Sequence, residues 1–298
     1  MSNDTHERVS APLAVAAVAA AVTSVATAAA VSYVRKHDVH IHRSMSGLAI
    51  VKTLSARQNP TGEPVRVMQM GGVYQSATYL DPQKVNEPVF TYYKAFDNLF
   101  AAPAAFCRQA PNILLLGGGA FSYPKHLLHA HNAATIEVVE IDPAVVDMAR
   151  KYFYLSDLEQ AFSQGENPRL KITINDGRSH LEQAQRGMYD AIINDTFTGK
   201  FAAPELVTVE AAMLAKRALS LDGVYLANVV SADGGSNIEF LRDQVATLSE
   251  VFEHVYVCLA DDETFGGEDN YIVLASDAVL DVDAIPFEKG FLGSVLYD

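Results

Sequence analysis

The residues able to do chemistry lie in the middle of the chain, each at the end of a short apolar run. Residues 113–116 run straight into Gly117, Gly118 and Gly119. Residues 136–141 carry Glu140 and are followed by Asp142. Residues 170–174 lead to Asn175, Asp176 and Gly177, and residues 189–194 lead to Asp195 and Thr196. Glycines without a Cβ allow a tight turn and let a ligand come close to the backbone. A carboxylate at the end of the next run, here Glu140 with Asp142 beside it, is placed to accept the two hydroxyls of a ribose. Asp176 is placed to accept an adenine amino group, with Gly177 admitting the base. Asp195, next to Thr196, is placed to face the reacting end of the ligand or an incoming amine. Each aspartate has a second reading, N-capping of the helix that follows.

Two ligand classes share this layout. A dinucleotide site wants G-x-G-x-x-G, in which the third glycine lets helix and strand pack closely. Ser122 stands at that third position, so a nicotinamide oxidoreductase is the weaker reading. S-adenosylmethionine has no phosphate and needs only the close turn and the ribose acid.

The elements that must position these groups follow from periodicity. Residues 113–116 form an apolar run with no polar break, the pattern of a strand buried on both faces. Strands are expected at 136–141, 170–174, 189–194, 223–230, 255–259 and 271–275. Helices are expected at 124–132, 144–152, 179–185, 204–219 and 238–252. The last two strands are joined by a loop too short for a crossover helix, so the last strand pairs antiparallel. The expected fold is α/β: a doubly wound, mostly parallel sheet of class I methyltransferase type ending in an antiparallel hairpin. Ahead of it, runs at 48–51, 65–70 and 73–79 with a turn at 59–62 predict a small antiparallel β unit. An aromatic-rich amphipathic helix is expected at 90–100. The chain divides into an N-terminal tail (1–43), the β unit plus helix (44–100) and the Rossmann-like domain (101–298).

Together these motifs resemble the spermidine/spermine synthase family from about residue 44 to residue 276. The resemblance rests on Gly72-Val-Tyr-Gln75-Ser, on Tyr92-Tyr93, on Leu116-Gly-Gly-Gly119 and on Val139-Glu140-Ile-Asp142-Pro143. Asn175-Asp176-Gly177 and the run from Tyr189 to Asp195 complete it. It implies an N-terminal β unit on a methyltransferase-like domain. It also implies decarboxylated S-adenosylmethionine as co-substrate, a polyamine acceptor and a homodimer or tetramer. By resemblance Gln75 touches the donor nucleoside, Glu140 its ribose and Asp176 its adenine. The chain departs from the family at three places. Ala120 follows Gly119 where the family has an Asp that holds the donor's amine. Thr198 stands where a second Asp helps deprotonate the attacking amine, and Lys94 follows Tyr92-Tyr93 where the family reads Tyr-His-Glu. The nucleoside half of the site is kept and the transfer half is altered.

Composition narrows the rest. The 298 residues carry 22 Lys and Arg against 36 Asp and Glu, a net charge of −14, which argues against nucleic-acid binding. The two cysteines, Cys107 and Cys258, lack metal-site spacing and read as buried thiols. Residues 37–42 are His-rich and read as a solvated linker rather than a metal site. Residues 11–34 carry no charge and are followed by Arg35-Lys36. A bilayer-spanning helix needs about 20 residues, so an anchor helix with a cytoplasmic domain is one expectation; a secretory signal and an Ala-rich packing helix are the others. The leading functional expectation is a transferase that binds S-adenosylmethionine or its decarboxylated form without a metal. It passes an aminopropyl or methyl group to a small acceptor, with Asp195 positioning or deprotonating that acceptor and Tyr92 and Tyr93 shaping its pocket. The rival is a non-catalytic nucleoside- or polyamine-binding protein at the membrane.

Overall fold

The computed structural model describes residue 32 and residues 38–108, 110–198, 201–232, 238–260 and 268–298. The first described unit is an antiparallel four-stranded sheet of order β1-β2-β3-β4. Its strands are β1 (His40–Ser44), β2 (Gly47–Leu54), β3 (Val65–Met70) and β4 (Val73–Tyr79). Its apolar side chains point both ways. Ala49, Val51 and Met68 pack with Ala120, Val145, Met148, Tyr152 and Phe153. Leu54, Val65, Val67 and Ala77 join a larger core with Phe90, Tyr93 and Phe96. The linker expected at 37–42 is corrected from residue 40 onward. His40 stacks on Tyr152 with ring centroids 4.6 Å apart, and His42 Nε2 lies 3.1 Å from the Tyr152 hydroxyl. These imidazoles are packing groups of an edge strand. Among the described residues no group of three or more His, Cys, Asp or Glu is placed to hold a metal ion.

The helix expected at 90–100 is two pieces, α1 (Tyr92–Ala95) and a 3₁₀ helix (Phe96–Ala101). Phe96, Leu99 and Ala102 are all fully buried. A three-residue repeat of core positions matches three residues per turn, and the chain tightens there. α2 (Pro103–Cys107) follows; Cys107 is exposed, contrary to its reading as a buried thiol, whereas Cys258 is buried.

Strands and helices then alternate. They run β5 (Asn112–Leu116), α3 (Ser122–Ala130), β6 (Thr135–Glu140), α4 (Pro143–Tyr152), α5 (Leu155–Phe162), β7 (Leu170–Ile174) and α6 (Gly177–Gln183). β8 (Tyr189–Asn194) leads through the two-residue strands β9 (Phe197–Thr198) and β10 (Phe201–Ala202) to a 3₁₀ turn (Pro204–Leu206). The series closes with α7 (Val209–Ala218), β11 (Leu219–Ala232), α8 (Glu239–Ser249), β12 (His254–Ala260) and β13 (Glu268–Ser276). α5 had no counterpart in the sequence reading, and Pro204–Leu206 breaks the single helix expected at 204–219.

The seven-stranded order is β12-β13-β11-β8-β5-β6-β7. The five strands β7, β6, β5, β8 and β11 are parallel, and β13 runs antiparallel between β11 and β12. The hairpin expected from the short β12–β13 connection is present, with its second strand inserted inward. β5 is the middle of the sheet. Ile113 and Leu115 point into one core and Leu114 and Leu116 into the other, all 2% exposed or less. Burying such a side chain contributes roughly 1.5–3 kcal/mol, so this unbroken apolar run anchors both layers. The anchor helix expected at 11–34 lies outside the described residues apart from Ser32. Among the described residues no helix is long and apolar enough to cross a membrane.

Candidate active site

The order of strands reverses at β5, where the chain goes first to β6 and later to β8. A crevice opens beyond the carboxyl ends of strands at such a point. Gly117 leaves β5 with φ +89°, and a Cβ built on it would lie 2.4 Å from the Asp195 carbonyl oxygen. Only glycine fits there, both for the left-handed backbone and for the approach of the Asp195 segment. The Asp195 amide donates to the Leu116 carbonyl at 2.9 Å, and the Gly117 amide donates to Val139 at 2.9 Å. The ends of β8, β5 and β6 are thereby fixed to one another.

One cleft gathers nearly all the residues singled out by sequence. Gln75, Tyr92, Tyr93, Gly117, Gly119, Glu140, Asp142, Asp176, Gly177, Asp195 and Thr196 line it. Gly118 does not line it. Its amide donates to Glu140 Oε2 at 2.9 Å, and the Gly119 amide reaches the same oxygen at 3.4 Å. The Asp142 amide donates to Glu140 Oε1 at 3.0 Å. Glu140 is therefore the organiser of the Gly-rich turn as well as part of the cleft wall. Burial raises its pKa, and the three backbone N–H donors oppose that rise.

Asp142 and Asp176 take up their capping reading and also line the cleft, whereas Asp195 is followed by β9 rather than by a helix. Asp142 Oδ1 accepts from the Ala144 amide at 2.9 Å at the start of α4, while Oδ2 accepts from the Met45 amide at 2.7 Å. That second bond fastens the β1–β2 turn over the cleft, where Ser44 and Ser46 join the lining. Asp176 caps α6 through the Ser179 amide at 2.7 Å.

Asp195 sits at the far end. Its Oδ2 accepts from the Tyr92 hydroxyl at 3.3 Å and its Oδ1 from Asn228 Nδ2 at 2.8 Å. Burial pushes its pKa up to about 6, opposed by those two hydrogen bonds. Tyr92 is raised well above its ordinary value, by burial first and by the Asp195 charge second. It therefore stays protonated and donates. Its ring lies 4.2 Å from that of Tyr93 and meets Phe96 edge-on at 5.8 Å. The Tyr93 hydroxyl is 3.4 Å from Ser76 Oγ, which is 3.2 Å from Ser122 Oγ. Ser122 donates to the Ala77 carbonyl at 2.9 Å. The residue that spoils the dinucleotide motif thus joins α3 to β4.

Sequence reasoning missed several lining and supporting groups. Ala203, Glu205 and Leu206 reach the cleft from the 3₁₀ turn, and Asn175 from the end of β7. Asn228 is a lone amide in the apolar run of β11, one residue beyond the Ala227–Asn194 pair that ends the β8 register. Asn228 lies inside its strand rather than after it, so the strand-end signal that found Asp195 did not reach it; a lone amide in an apolar run was the available sign. Ala120 is fully buried in the apolar cluster beneath the first sheet.

The fold is a doubly wound, mostly parallel α/β domain of class I methyltransferase type carrying an antiparallel β unit. Residues 97–282 match the family model of the spermine/spermidine synthase domain, and the chain belongs to that family. A polyamine aminopropyltransferase of Vibrio vulnificus is 29% identical over 184 residues, 61% of this chain and 55% of that protein. A putrescine N-methyltransferase of Nicotiana tabacum is 32% identical over 132 residues, 42% of this chain and 33% of that protein. The chain spans about half the length, or less, of the curated relatives it matches. Among solved structures, a probable spermidine synthase from Corynebacterium glutamicum superposes with a TM-score of 0.63 at 23% identity, covering 80% of each chain. That likeness concerns the fold.

Proposed function

We propose that the cleft binds a sulfonium nucleoside and transfers an aminopropyl group from decarboxylated S-adenosylmethionine to a small polyamine-type amine. The observation that carries the reading is the charge of the wall. Glu140, Asp142, Asp176, Asp195 and Glu205 line the cleft, and no Lys, Arg or His does so among the described residues. Five carboxylates favour a cationic donor and a cationic acceptor, and a donor carboxylate would find no basic partner there among the described residues. In this reading Gln75 and the turn of Gly117, Gly118 and Gly119 border the donor. Glu140, with Asp142, faces the ribose, and Asp176 with Gly177 faces the adenine. Thr196 flanks the reacting centre.

The chemistry asked of the protein is modest, because the sulfonium carbon is already activated. The acceptor nitrogen attacks that carbon, the carbon–sulfur pair goes to sulfur as methylthioadenosine leaves, and Asp195 takes the proton lost by nitrogen. A base with a pKa near 6 is mostly ionised at neutral pH yet basic enough to share that proton. Tyr92 and Tyr93 hold the acceptor in line with the leaving sulfur, the alignment on which such a displacement depends.

A second reading is methyl transfer from S-adenosylmethionine to the same class of amine. It is favoured by the match to a putrescine N-methyltransferase of Nicotiana tabacum, 32% identical over 132 residues. Incubating the full chain with each donor and putrescine, and following products by mass spectrometry, separates the two. Spermidine supports the first reading and N-methylputrescine the second. Absence of both products, while other amines are alkylated, would exclude putrescine alone.

A further inference from the structure

Asn228 is buried, at 5% exposure, and its two polar atoms are treated differently. Nδ2 donates to Asp195 Oδ1 at 2.8 Å. Oδ1 is buried and has no hydrogen-bond partner among the described residues. An unsatisfied buried acceptor costs about 1–3 kcal/mol, so its presence beside a candidate base calls for a reason. The opposite amide rotamer would set Oδ1 against the Asp195 carboxylate, so an ionised Asp195 fixes the amide as donor. Protonated Asp195 presents an O–H instead, and a half-turn of the amide then lets Oδ1 accept it.

We propose that Asn228 is the positioning residue for Asp195, donating to the carboxylate before proton transfer and accepting from the carboxylic acid after it. The inference rests on the reading of Asp195 as the proton acceptor. The groups that face Asp195 suit such a role. Tyr92, from α1, is a hydroxyl that also donates or accepts by rotation, and Tyr93 stands behind it. From β11 comes the neutral amide of Asn228, flanked on β13 by Ile272. From the β5 turn comes the backbone of Gly117. Both side-chain partners of the carboxylate can therefore follow its proton without a charged group moving. The orphaned Oδ1 is the acceptor held for the second state.

The test titrates Asp195 directly, without turnover. The full chain labelled with ¹³C at aspartate Cγ is followed by NMR against pH, and the Asp195 signal is assigned by its loss in D195N. N228L removes both polar atoms at similar bulk; N228A removes them without bulk and serves where N228L is misfolded. Nucleoside affinity by calorimetry reports that the cleft is intact and is expected to be unchanged. The Asp195 midpoint is expected to rise by about one pH unit in either variant, because a donor to the charged form is lost. The acid limb of the rate profile is expected to move with it. An unmoved midpoint in both variants overturns the proposal. A wild-type protein that alkylates no amine would overturn the transferase reading instead, and the midpoint shift is measured independently of that result.

Discussion

Gly117→Ala is the most informative substitution at the switch point, and the structure supplies its control. Two costs add at Gly117. The backbone at φ +89° is left-handed, which costs a non-glycine residue on the order of 1–2 kcal/mol. The new Cβ would also lie 2.4 Å from the Asp195 carbonyl oxygen and 2.9 Å from its carbonyl carbon. To reach ordinary contact near 3.4 Å the Asp195 backbone must retreat by about 1 Å, and a shift of that size at a reacting group costs roughly 10²-fold in rate. Gly72 has nearly the same backbone, φ +86°, with nothing within 4 Å of the built Cβ. Gly72→Ala therefore carries the conformational cost alone. Urea unfolding and steady-state kinetics on both variants separate the terms. Both are expected to lose about 1–2 kcal/mol of stability. G117A is expected to lose more, and only G117A should drop kcat/KM by about 10²-fold. Equal stability losses together with wild-type turnover in G117A would refute the claim that this contact sets the position of Asp195.

Further expectations concern the carboxylates, Tyr92 and a buried lysine. Asp195→Asn keeps the hydrogen-bonding shape but removes the proton acceptor; turnover should fall by 10²-fold or more while donor affinity by calorimetry holds. Tyr92→Phe removes a donor to the carboxylate, so the acid limb of kcat/KM, expected near pH 6 in the wild type from the Asp195 value, should move upward. Asp142→Ala loses both the α4 cap and the bond to the Met45 amide, and about 1–3 kcal/mol of stability by chemical denaturation. Lys125 is 2% exposed, with Nζ donating to Thr78 Oγ1 and the Phe153 carbonyl and lying 5.8 Å from the Tyr154 ring centroid, and burial lowers its pKa to about 7. Between that value and the ordinary lysine value the unfolded chain binds the extra proton. Stability should therefore rise from pH 7 towards 10, by up to about 1.4 kcal/mol per pH unit. Lys125→Met should remove that rise and raise the melting temperature at pH 7.

The parallel strands and the acids at their ends were legible because each signal is local. The run Ile113–Leu116 is apolar in every position, and Glu140, Asp176 and Asp195 each stand at or just beyond the end of a strand-like run. What stayed hidden depends on partners far apart in sequence. His40 and His42 belong to a strand that pairs with β2 and rests on the distant Tyr152. The bond from the Met45 amide to Asp142, 97 positions apart, leaves no trace in composition. The 3₁₀ helix at Phe96–Ala101 matches the three-residue spacing of Phe96, Leu99 and Ala102, but the same spacing also fits one face of an α-helix, so sequence does not choose between them. The double duty of Glu140 follows from the fold of the Gly-rich turn, which brings two amides onto a carboxylate that sequence assigns to the ligand alone.

The central claim is that an acidic cleft free of basic side chains, among the described residues, selects a cationic nucleoside. Calorimetry at low ionic strength measures it directly, with decarboxylated S-adenosylmethionine, S-adenosylmethionine and the uncharged thioether methylthioadenosine titrated into the same protein. The account predicts binding of all three, with the decarboxylated sulfonium the tightest and the thioether about tenfold weaker or more, a difference of about 1.4 kcal/mol. Tighter binding of the thioether, or no binding of any nucleoside, would contradict it.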